Sequence, residues 1–237
     1  LVGSEMCIRD RRWIEDKEMK TIAVFQHHPV CSHQSVSGIH ASLSSEYRVE
    51  SFTINDHLPT VLKLCDCVAF PGGIGDADLY YKYFKRRHGN AIADFVASGG
   101  KYLGICMGQY WAGSDYFDIL DGIDVVQYIK RPDADIKRSF ATVADITYDS
   151  QIYTDKMFFY DGGTIVTKNN DAKYQVKARY KNGDPMAIIQ GNVGIIGCHP
   201  ESQQFWYSIY PYIKENWHRG EHNKWLLNFV DELWSGN

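Results

Sequence analysis

The run Cys65-Asp66-Cys67-Val68-Ala69-Phe70, closed by Pro71-Gly72-Gly73, constrains this chain more than any other stretch. A half-exposed strand alternates apolar and polar residues, whereas a nearly unbroken apolar run needs cover on both faces. Pro-Gly-Gly then ends it in a tight loop. The neighbouring segments agree with a parallel strand under helices. Thr21 to Gln26 reads as a strand, Val36, Ile39 and Leu43 recur at helical spacing, and Arg48 to Ile54 reads as a second strand. A helix from about Asn90 to Ala97 is stopped by Gly99-Gly100, and Lys101-Tyr102-Leu103 opens another strand. This order predicts an α/β fold: a doubly wound, mostly parallel, flavodoxin-like sheet with helices on both faces.

From about Asp124 to Gly197, segments rich in Tyr, Val and Ile, with turns at Asp161-Gly162-Gly163 and Asn182-Gly183-Asp184, predict a β-rich extension. No linker sets it apart, so residues 19–237 are expected to form one domain. Trp225, Phe229 and Leu233, four apart, predict a closing helix whose stripe packs on the core. Lys85-Arg86-Arg87-His88 reads as a solvated helix end.

Composition narrows the partners. With 237 residues, 44% of them hydrophobic, the chain can bury a sizeable core, and a net charge of −4 gives no general reason to expect nucleic acid or an anionic membrane surface. No apolar run approaches the roughly 20 residues of a membrane span. The six cysteines lack the density of a disulfide scaffold, so reduced thiols in a cytoplasm are expected. Residues 1–18, LVGSEMCIRDRRWIEDKE, have no apolar signal-peptide core. Their run SEMCIRDR resembles translated sequencing-adapter read-through, and the expectation is that they belong to no fold and that the natural protein starts at Met19.

A lone cysteine sits between two glycines in Gly104-Ile105-Cys106-Met107-Gly108, at the end of a strand. A sharp strand-to-helix elbow would expose its side chain, and the start of the following helix would favour the thiolate that acts as nucleophile. Such a sulfur needs a base and a group to orient the base. Gly194 to Ser202, GIIGCHPES, supplies both: proline keeps His199 extended, and residues two apart in an extended segment share a side, so His199 and Glu201 face together. Cys198 then faces the other way, into packing. The Met107 amide and the Gly72 and Gly73 amides are the natural donors to an oxyanion. The cluster His27-His28-Pro29-Val30-Cys31-Ser32-His33 matches no standard zinc spacing, so no metal is expected there and its side chains should border the pocket. Cys65 and Cys67 read as inert buried thiols.

FPGGIGDADLY (70–80), HGNAIADFVASGGKYLGICMGQYWAGS (88–114), FYDGG (159–163) and GCHPES (197–202) together resemble the biotin-protein ligase N-terminal domain family, within the class I glutamine amidotransferase-like superfamily. The resemblance implies a Cys106–His199–Glu201 triad, an oxyanion role for Gly72, Gly73 and Met107, a pocket lined by Tyr110 and by the Tyr160-Asp161-Gly162-Gly163 turn, and no cofactor. It implies a small-molecule amide as substrate and either simple hydrolysis or a separate synthase or ligase subunit that receives ammonia. Glutaminases of the superfamily carry glutamine four residues after the cysteine; here Gln109 stands at three and Tyr110 at four, which argues against glutamine. No glycine-rich, basic nucleotide-binding motif is present in the sequence, so biotin transfer is not expected of it. Three function classes follow: a thiol-dependent amide-cleaving enzyme, a non-catalytic ligand-binding or regulatory module of the same fold, and a cysteine oxidation sensor.

Overall fold

A computed structural model describes residues 19–74, 76–149 and 153–236; the reading of residues 1–18 lies outside them. The first half runs β1 (Thr21–Phe25), α1 (His33–Leu43), β2 (Arg48–Phe52), α2 (Leu58–Leu64), β3 (Cys67–Phe70), α3 (Ala77–His88), α4 (Ala91–Ala97), β4 (Lys101–Ile105) and α5 (Met107–Trp111). β3 is buried at every residue, as its unbroken apolar run requires. Side chains set the helix starts: Ser32 accepts from the Ser35 amide to cap α1, and Asp76 accepts from the Leu79 amide to cap α3. α2 and α3 lie outside the elements expected from sequence, although Tyr81 and Phe84, three apart, give α3 a buried face. α2 buries only Leu58, so it has no periodic stripe to reveal it. Lys85 to His88 form the last turn of α3, where their charge suits the helix carboxyl end.

The second half runs β5 (Ile123–Gln127), β6 (Thr142–Tyr148), β7 (Thr154–Phe159), β8 (Gly163–Thr167), β9 (Gln175–Tyr180), β10 (Pro185–Gln190), β11 (Val193–Ile196), α6 (Gln204–Ser208) and α7 (Glu221–Ser235). Nine strands make one sheet in the order β2-β1-β3-β4-β11-β10-β9-β6-β7, and β5 and β8 pair separately. From β2 to β11 the strands run parallel; from β11 onward the pairings are antiparallel. The β-rich segment therefore continues the parallel sheet through β11.

Right-handed crossovers fix where the helices go. The chain steps from β1 to β2 in one direction and from β2 through β3 to β4 in the other, which puts α1 on one face and α2 and α4 on the opposite face. α7 returns to pack on α1, β4 and β11. Its Phe229 and Leu233 are buried and Trp225 is partly buried, in keeping with the expected core stripe. Phe25, Phe70, Phe84, Trp111 and Phe117 meet ring to ring beneath the carboxyl ends of β1 and β3. In open parallel sheets ligands bind beyond those strand ends, near the reversal of strand order. No described helix is long and apolar enough to cross a membrane.

Candidate active site

β4 delivers Cys106 at its carboxyl end. The residue has φ 52° and ψ −100°, a left-handed backbone that a side chain adopts only under strain. Its amide donates to the Ile196 carbonyl at 2.9 Å, and its carbonyl accepts from the Gln109 amide at 3.0 Å, so the neighbouring strand and the following helix hold the elbow from both sides. The flanking glycines are steric necessities. A Cβ at Gly104 would overlap the Gly108 carbonyl, and one at Gly108 would overlap the Phe70 carbonyl. The Cys106 thiol donates to the Tyr160 carbonyl at 3.5 Å.

β11, hydrogen-bonded beside β4 in the register Ile105↔Ile196, brings the second group. His199 follows it, its amide donating to the Phe158 carbonyl at 2.8 Å and its ring packed against those of Phe158 and Trp206, which also touch each other. Nδ1 lies 2.9 Å from Glu201 Oε1, which leaves Nε2 for the sulfur. Burial is the strongest influence on this imidazole and pushes its pKa down. The Glu201 carboxylate and the Cys106 sulfur, by charge and by hydrogen bond, outweigh it and raise the value to about 10. These influences favour the protonated form of the ring beside Cys106. Glu201 is fully buried. The Ser35 hydroxyl, from the first turn of α1, donates to its Oε1 at 2.6 Å.

Ser35 also corrects one expectation. Its Oγ accepts the Gly72 amide at 2.9 Å, so Gly72 is not a free oxyanion donor. What Gly72 supplies is room: a Cβ there would lie 2.6 Å from His199 Cε1. The free donors are Gly73 and Met107, whose amides find no acceptor among the described residues. The two approach closely enough that any side chain at Gly73 would collide with Met107.

A cavity of about 900 Å³ opens over these groups, lined by Gly73, Cys106, Met107 and His199, with Tyr110 and Tyr160 in its walls. The Tyr110 hydroxyl donates to the Asp161 carbonyl at 3.1 Å. Gly162 and Gly163 do not line the cavity as expected. They are buried behind it, Gly162 against the Gly197 carbonyl and Gly163 against the Gln109 amide, and Tyr160 and Asp161 take the lining positions. Nor do the histidines before α1 border the space; of residues 27–33, Ser32 alone is at its wall. His27 stacks on Phe25, and His28 stacks on His33. Gln109 is fully buried, and its side-chain amide has no partner among the described residues. Elsewhere burial pushes the Cys31 and Cys65 thiols up to about 12 and raises Cys67 further. Cys198 is buried beside Tyr180 and its thiol is likewise raised. Asp161, in the turn expected to line the pocket, does line it. Sequence reading missed Ser35, Phe158 and Trp206, which are recruited by tertiary contact.

Residues 26–125 match the family described as biotin-protein ligase, N terminal, a segment that includes the elbow and its glycine loop but not His199 or Glu201. A biotin–protein ligase of Schizosaccharomyces pombe is 31% identical over a 172-residue alignment, which covers 56% of this chain and 25% of the ligase. An uncharacterized protein of Chlamydia muridarum is 30% identical over 169 residues, 61% of this chain and 64% of that protein. The chain thus spans a quarter and somewhat under two thirds of these relatives' lengths. Among solved structures, a glutamine amidotransferase matches with a TM-score of 0.60 at 15% identity, covering 90% of this chain and 98% of the other. A glutamine amidotransferase of Thermotoga maritima matches with a TM-score of 0.57 at 14% identity over 91% of this chain and 96% of the other. At such identities these structures share the fold.

Proposed function

We propose that this chain, which carries a biotin-protein ligase N-terminal segment on a class I glutamine amidotransferase-like fold, is a thiol-dependent amide-cleaving enzyme. The observation that carries the reading is the charge-coupled group Cys106, His199 and Glu201: a strained elbow cysteine, a buried imidazole held protonated against it, and a buried carboxylate fixing that imidazole.

In the reaction, the Cys106 sulfur attacks the amide carbonyl carbon and its proton resides on His199 Nε2. The carbonyl oxygen becomes an oxyanion and accepts from the Gly73 and Met107 amides. As the C–N bond breaks, the imidazolium gives its proton to the leaving amine, and a thioester remains. Acylation takes the Cys106 sulfur out of its interaction with the ring, one of the influences that raise the imidazole, so His199 becomes a better base at the moment it must activate water. Water then attacks the thioester, releasing the acid and restoring the thiol. A separate synthase or ligase subunit receiving the ammonia is the amidotransferase version of the same chemistry.

A second reading has its own observation. The thiol donates to the Tyr160 carbonyl, which favours a resting, ligand-binding or regulatory module that keeps the elbow without turnover. Ammonia release from a panel of primary amides, with Cys106→Ala as control, tests the choice. Cys106-dependent release supports the enzyme; ligand-induced stabilisation with no release from any amide supports the module.

A further inference from the structure

The cavity above the elbow has a charge pattern that the cleavage reaction does not use. Three carboxylates line it, Asp78, Asp115 and Asp161, against Lys130 and the His199 ring, and that ring is already paired with Glu201. None of the three is in an ion pair among the described residues. Their partners are neutral donors. Both Asp161 carboxylate oxygens accept from Gln127 Nε2, at 3.0 and 3.1 Å, and Asp78 accepts from the Tyr116 hydroxyl. Lys168, outside the cavity wall, is already paired with Asp124. Hydrogen bonds from neutral groups satisfy lone pairs and leave the negative charge in place.

The walls reinforce the same preference. Tyr110, Tyr116, Tyr160 and Trp206 present aromatic rings to the cavity, and ring faces attract cations. Tyr110 sits between Cys106, Asp161 and Tyr116. Its ionisation is pushed up first by burial and then by those neighbours, so it remains a neutral hydroxyl there. A carboxylate-bearing ligand would meet three like charges and, apart from the His199 ring that Glu201 pairs, a single lysine.

We propose that this cavity selects amides that also carry a cationic amine, with Asp161 as the principal charge partner. The turn that holds Asp161 is also the one whose Tyr160 carbonyl touches the Cys106 thiol, so a cation at Asp161 sets the distance between the charged group and the scissile carbonyl. Cleavage of such a ligand rests on the amide-cleaving reading; its binding does not.

The test uses three chain-matched primary amides, ω-aminohexanamide, hexanamide and the monoamide of adipic acid, titrated calorimetrically into the full-length Cys106→Ala protein. The amino-amide should bind about tenfold more tightly than hexanamide, with the anionic amide weakest, and raising salt should shrink the difference. Asp161→Asn should remove most of the preference. Asparagine suits the φ of 55° at this position, and Asp115→Asn, on an exposed residue, provides a second variant with a smaller loss. Equal binding of the three amides, preference for the anionic one, or no binding by any of them would overturn the proposal. Ammonia release by the unmodified protein is followed separately. Selective binding without release keeps the cation preference and removes the enzyme reading, and Cys106-dependent release without preference does the reverse.

Discussion

Replacing Ser35 by alanine should uncouple the acid of the site from its glycine loop. One buried oxygen serves both: it donates to Glu201 Oε1 at 2.6 Å and accepts the Gly72 amide at 2.9 Å. A hydrogen bond to a charged group contributes about 1.5–3 kcal/mol, and an orphaned buried donor costs about 1–3 kcal/mol. Both losses pass through one atom and overlap, so a destabilisation of about 3 kcal/mol is expected, or a fall of ~6–12 °C in the thermal midpoint for a chain of this size. Calorimetry gives the midpoint. Hydrogen exchange reports the Gly72 amide directly, and its protection should fall by more than the global loss explains. Alkylation of Cys106 by iodoacetamide should slow as well, because Glu201 keeps only the His199 bond at Oε1. A midpoint within about one degree of the parent, with Gly72 still protected, would show that the Ser35 oxygen does not couple the two.

Three further outcomes are expected. Near pH 6, iodoacetamide should label Cys106 far faster than Cys31 or Cys65, whose thiols burial pushes to about 12, and His199→Ala should slow the Cys106 reaction; equal labelling in both proteins would rule out activation of the thiol by His199. The folded His199 value of about 10 lies above the unfolded value of about 6.5, so its contribution to stability is complete below pH 6.5 and is lost as pH rises through 10. Glu201→Gln keeps an acceptor for Ser35 and His199 while deleting the charge. Urea midpoints measured across that window should therefore decline less in the variant, and identical slopes would contradict the assignment. Gly108→Ala drives a methyl into the Phe70 carbonyl and should cost about 2 kcal/mol or more, visible as a lower melting point and a slowed Cys106 reaction; a neutral result would mean the elbow yields easily.

Much of this was legible from local pattern. β3 and β4 announce themselves as apolar runs cut off by glycine, and the elbow by a cysteine between glycines. His199 and Glu201 could be paired in advance because an extended segment puts alternate residues on one side. Ser35 could not. It stands beside Val36 on a helix, and what gives it a role is a partner 166 positions away. The same limit misassigned the Gly72 amide: Pro-Gly-Gly advertises free donors, but which one is consumed depends on the helix that packs above it. Gly162 and Gly163 read as flexible pocket lining, yet the close approach of Gly197 and Gln109 buries them. Tyr110 was placed in the pocket by its offset from Cys106, while the burial of Gln109, one residue earlier, follows from the turn of a five-residue helix that points adjacent side chains apart.

The ladder between β4 and β11 has a consequence for biosynthesis. Cys106 and His199 follow adjoining strands of one sheet, but the ribosome must add the whole stretch from residue 107 to residue 192 between making the first strand and starting the second. Until that last parallel strand docks, the emerging polypeptide holds a sulfur with no proton acceptor beside it. On the amide-cleaving reading, reactivity is thus withheld from incomplete chains, since one ending before β11 lacks both His199 and Glu201.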